Sequence, residues 1–70
     1  MYREYREDKT FTTSENWNEG DTLIIRRSEA YSRGTTRKYK RKVKYNTTDG
    51  LYFILDNRKY FEYEFNPIYP

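Results

Sequence analysis

Residues 37–45, Arg-Lys-Tyr-Lys-Arg-Lys-Val-Lys-Tyr, set Lys38, Lys40, Lys42 and Lys44 in alternation with Tyr39, Arg41, Val43 and Tyr45. Successive side chains on a β-strand point to opposite faces. This spacing therefore gathers four ammonium groups along one side and a largely apolar, aromatic set along the other. Alternate residues of an extended strand stand about 7 Å apart, close to the separation of successive phosphates in an extended nucleic-acid strand. Arg26, Arg27, Arg33 and Arg37 can enlarge the patch, and Tyr31, Tyr39 or Tyr52 can offer rings for stacking. The candidate binding set is Arg26, Arg27, Tyr31, Arg33, Arg37, Lys38, Lys40, Lys42 and Lys44. A plainer reading is that the lysines keep an open strand edge from pairing with another chain, or that Glu62 and Glu64 neutralise them across a sheet.

Other chemistry has less to work with. The chain has no histidine and no cysteine, so acid–base or nucleophilic work would fall to carboxylates, lysine or tyrosine. Neither a Cys/His zinc site nor a Gly-rich phosphate loop is present. Glu62 and Glu64 share a strand face in this reading, but alternating glutamates on a solvent face are far commoner than a catalytic carboxylate pair. The expectation is a non-enzymatic protein with no catalytic residues, no metal and no cofactor.

The formal charge of +3 hides a segregation along the chain. Arg26, Arg27, Arg33, Arg37, Lys38, Lys40, Arg41, Lys42 and Lys44 are opposed over that span only by Glu29, whereas both flanks are acidic. The local field is stronger than the net charge implies, and suits nucleic acid or an acidic protein surface. A cysteine-free chain fits a reducing compartment, no apolar leader opens the sequence, and no stretch approaches a membrane span. A cytoplasmic protein without membrane contact is expected, as a monomer or, through an exposed edge strand, a homodimer.

Positioning these residues falls to strands. Tyr and Phe outnumber Leu, Ile and Val, a balance that favours sheet. Seventy residues make one small domain, so residues 1–9 are expected as a weakly ordered start or edge strand and residues 10–70 as a single barrel. A short strand around Phe11 precedes a turn, or one helical turn, over residues 13–17 that partly buries Trp17. Glu19-Gly20-Asp21 leads into a strand whose Leu23-Ile24-Ile25 run predicts cover on both faces. After a polar connection come the basic strand, a hairpin turn ending in Asp49-Gly50, the apolar strand 51–55, a tight Asp56-Asn57 turn and a strand over 59–65. That last strand would turn Phe61, Tyr63 and Phe65 inward and stop at Asn66-Pro67.

The run Glu19-Gly20-Asp21-Thr22-Leu23-Ile24-Ile25-Arg26-Arg27, with the segments 39–45, 51–55 and 59–65, resembles the SH3-like small barrels of many short bacteriophage and mobile-element proteins. The resemblance spans about two thirds of the chain. It implies an all-β barrel of four or five antiparallel strands, and a binding module rather than an enzyme. Such barrels take peptides, proteins or nucleic acid without sharing a site. Nucleic acid on the basic strand and the 28–37 connection is the first expectation. An inhibitor or protein-binding module covering an acidic host surface is the second, favoured by more tyrosines than so small a core encloses.

Overall fold

The computed structural model describes residues 2–28 and 35–68. Within them the chain is all-β. Its strands are β1 (Tyr2–Tyr5), β2 (Phe11–Ser14), β3 (Thr22–Ser28), β4 (Thr36–Lys42), β5 (Lys44–Asn46), β6 (Gly50–Leu55), β7 (Arg58–Phe61) and β8 (Phe65–Ile68), with a 3-10 turn over Glu62–Glu64. All strand pairs are antiparallel. They form a five-stranded sheet in the order β4-β3-β2-β1-β8 and a three-stranded sheet in the order β5-β6-β7. Among the described residues no helix is long and apolar enough to cross a membrane.

The core is a cluster of rings between the two sheets. Tyr5, Phe11, Leu23, Ile25 and Phe65 come from the larger sheet, and Phe53, Leu55 and Tyr60 from the smaller, with Val43 and Trp17 completing it. Phe11 lies 5.1 to 6.3 Å, centroid to centroid, from Tyr5, Phe53, Tyr60 and Phe65, in the tilted and edge-on arrangements that ring quadrupoles favour. Trp17 is buried between Phe53 and Phe65, and its indole N–H donates to the buried hydroxyl of Thr13 at 3.1 Å. That bond supplies the partner a buried indole requires. It also removes Trp17 from any surface role.

The expected alternation holds in part, since Arg41 is exposed like the lysines on either side of it. Lys38, Lys40 and Lys42 are exposed, Tyr39 packs partly against the core, and Val43 is buried. At Val43 the chain leaves one sheet for the other. Its N–H donates to the Asp21 carbonyl, and its own carbonyl accepts from Gly20 N–H, both at 2.9 Å. Gly20 meets this bond at φ +88°, a left-handed conformation natural to glycine. The tight turn at Asp56-Asn57 has positive φ at both residues, 52° and 62°, and Gly50 closes the other hairpin at φ +82°.

Several expectations need correction. Long strands are broken, at Val43 and at Glu62–Glu64, so eight short strands replace the four or five anticipated among the described residues. Ile24 is exposed while Leu23 and Ile25 are buried, so β3 is covered on one face only. The 3-10 turn resets the phase of the last segment: Tyr60 and Phe65 point into the core, whereas Phe61 is half-buried and Tyr63 is exposed. Glu64 holds the turn by accepting the Phe61 N–H at 3.0 Å. Pro67 lies inside β8, where a missing N–H is tolerated because β8 is an edge. Tyr45 is exposed and does not anchor the basic strand. β1 is an interior strand, between β2 and β8.

Replacing Phe11 with alanine removes the ring that touches both sheets and is expected to lower the unfolding free energy by about 3–5 kcal/mol in urea titration. Ile24→Thr, on the exposed face of the same sheet, is expected to change it by less than about 0.5 kcal/mol.

Candidate nucleic-acid interface

The β3–β4 register places Arg26 opposite Lys38, Ile24 opposite Lys40 and Thr22 opposite Lys42. Leu23 and Ile25 face the core, so these pairs share the outer face of the five-stranded sheet. Continuing across β2 and β1, Thr12 lies beside Arg26 and Glu4 beside Thr12. The face therefore grades from a lysine edge on β4, through hydroxyls and Arg26, to a single acid on β1. Among the described residues no carboxylate pairs with Lys38, Lys40 or Lys42. Neutralisation by the last strand does not occur: Glu62 pairs with Arg3 at 2.6 Å, and Glu64 is tied to the Phe61 backbone.

Arg26 is held by Tyr2, whose ring lies 4.7 Å below its guanidinium carbon. Its Nε is buried and has no hydrogen-bond partner among the described residues. A buried, charged donor left without an acceptor is costly, and the Tyr2 ring against the guanidinium offsets part of that cost. Beside it opens a groove of about 360 Å³ whose cations are Lys9, Arg26 and Lys38. Hydroxyls of Thr12, Ser28 and Thr36 line the same groove. Thr10, on its wall, is already committed: its hydroxyl and its N–H donate to one Asp8 carboxylate oxygen at 2.6 and 3.0 Å. Those bonds, the hydroxyl first, hold the Asp8 carboxyl below its ordinary value against the opposing effect of burial.

The candidate residues thus divide. Arg26, Lys38, Lys40 and Lys42 come together on one face. Arg27 and Arg37 are paired with each other on the opposite face, where Arg27 lies over the Phe11 ring at 5.4 Å. Lys44 begins β5 in the smaller sheet, opposite Tyr52. Tyr31 and Arg33 lie outside the described residues. Arg41 stands apart, its Nε donating to the Ile54 carbonyl at 3.2 Å and so tying β4 to β6. Sequence reasoning missed Lys9, Thr12 and Tyr2. Their alternation is too short to reveal a face, and only strand pairing brings them to Arg26.

No protein-family model, curated protein or solved structure matches the chain.

Asp8→Ala is expected to cost about 1 kcal/mol or less of stability near neutral pH, measured by urea unfolding. Because the folded carboxyl sits below its unfolded value, this contribution is complete above the ordinary carboxylate range and is lost as pH falls through the folded value. The difference between wild type and variant should therefore shrink on acidification.

Proposed function

We propose that this chain is a non-enzymatic binding module, an SH3-like small barrel of the kind bacteriophages and mobile elements encode, that holds nucleic acid by its phosphate backbone. The observation that carries the reading is the outer face of β3 and β4. There Lys38, Lys40 and Lys42 project without carboxylate partners among the described residues, beside an Arg26 whose buried Nε lacks an acceptor. Lysines at alternate positions can each meet a phosphate. Arg26 and the neighbouring hydroxyls can direct hydrogen bonds at another. Contacts of this type fix position and affinity while carrying no base sequence.

A second reading, an acidic protein surface as partner, is favoured by one observation. Ile68, Tyr2 and Ile24 lie in a cross-strand row that ends at Lys40, and all three are exposed. Ser14 separates Tyr2 from Ile24 in this row, and exposed apolar groups set beside a lysine edge suit a protein interface as well as a phosphate backbone.

The variant carrying Lys38→Glu, Lys40→Glu and Lys42→Glu separates these contacts from the fold, because all three side chains are exposed. It should keep the wild-type circular dichroism spectrum and lose at least about tenfold in affinity for a mixed-sequence oligonucleotide at low salt. Wild-type protein that fails to retain DNA or RNA at low salt would end the nucleic-acid reading.

A further inference from the structure

The outer face of the three-stranded sheet carries a row of rings that the core does not need. Tyr52 on β6 lies directly opposite Phe61 on β7, with ring centroids 5.8 Å apart, and Phe61 stacks on Tyr63 at 5.4 Å with the planes only 7° from parallel. Phe53 and Tyr60, the next pair along, turn the other way into the core. Cross-strand packing accounts for Tyr52 against Phe61. It does not account for Tyr63, which sits beyond β7 in the 3-10 turn with 58% of its surface exposed.

Cations frame this row. Lys44 is the β5 neighbour of Tyr52, and the Lys59 ammonium lies 5.4 Å from the centre of the Tyr52 ring. The nearby acids are engaged, Glu62 with Arg3 and Glu64 with the Phe61 N–H. The row is also joined along the chain to the lysine edge of β4. Lys42 is exposed, Val43 is buried and Lys44 is exposed again, so one outward alternation runs from Lys38 across the sheet boundary to the register row Lys44, Tyr52, Phe61. A phosphate held at Lys44 or Lys59 would lie beside aromatic faces.

From these rings and the cations that frame them we infer that Tyr52, Phe61 and Tyr63 form a stacking platform for unpaired bases, and that the ligand is single-stranded nucleic acid. The inference rests on the nucleic-acid reading above and narrows it. In a duplex the bases are stacked on one another and their faces are closed to side chains. In a single strand each base has a free face, and ring stacking is tolerant of sequence.

The test uses a short labelled oligothymidylate, free and annealed to its complement, with fluorescence anisotropy as readout. Tyr63→Ala is the key variant. The side chain is exposed, and the bond that Tyr63 gives the fold, its carbonyl accepting from Arg6 at 3.0 Å, is a backbone one that the variant keeps. Wild type should prefer the single strand. Tyr63→Ala should weaken single-strand binding by about fivefold or more and leave duplex binding unchanged, while Tyr63→Phe, which keeps the ring, should bind as wild type. If Tyr63→Ala binds the single strand as wild type does, or if wild type shows no preference for it, the platform is refuted. The lysine reading then survives provided the triple lysine-to-glutamate variant still loses binding. Wild type that binds neither form overturns both.

Discussion

Everything on the surface of this protein is placed by the ring cluster between its sheets. With no disulfide and no zinc ligand set available, a chain of this size must hold two thin sheets together chiefly by packing. Phe11 and Phe53 lie at the centre, with Tyr5, Tyr60, Phe65 and Trp17 around them. Once Leu23, Ile25 and Val43 are committed inward, strand geometry leaves their neighbours no choice: Ile24, Arg26, Lys42 and Lys44 must face out. A slip of one residue over 39–43 would turn Lys40 and Lys42 toward the core and Tyr39 and Val43 away from it, so core and binding face are specified by the same register.

Arginine and lysine divide the work between them. Most of the described arginines are bound into the structure: Arg3 to Glu62, Arg6 to the Tyr63 carbonyl, Arg41 to the Ile54 carbonyl, and Arg58 to the Tyr5 hydroxyl and over the Tyr60 ring. Planar guanidinium groups suit such forked and stacked contacts. The phenol of Tyr5, at the receiving end of one of them, is pushed above its ordinary value chiefly by burial, and its own hydroxyl donates to Glu7 at 3.3 Å. The lysines of β4 reach into solvent as point charges on flexible stems. Arg26 is the exception among the arginines, held by a ring yet keeping a donor unmatched among the described residues.

What could be read in advance was whatever period two controls. The outward placement of Lys38, Lys40, Lys42 and Lys44 around Tyr39 and Val43, the turns at Asp56-Asn57 and Gly50, and the burial of Trp17 all follow from local chemistry. The same parity separates Arg26 from Arg27 and Lys38 from Arg37, a distinction lost when a basic stretch is treated as one patch. Exposure of Ile24 could not be read, because an uninterrupted Leu-Ile-Ile run has no alternation to show which side lacks a covering layer. The 3-10 turn at Glu62–Glu64 was hidden by an apparent strand pattern that continues through it. Lys9 and Tyr2 joined the basic face through the pairing of β1, β2 and β3, which is long-range information.

The ionic-strength dependence of oligonucleotide affinity tests the central claim most directly, since each lysine or arginine that neutralises a phosphate releases counterions. Contacts from Lys38, Lys40, Lys42 and Arg26 predict that log affinity falls linearly with log salt concentration at a slope of about −3 to −4. A slope near zero, with binding that persists at high salt, would contradict an electrostatic role for the outer face of β3 and β4.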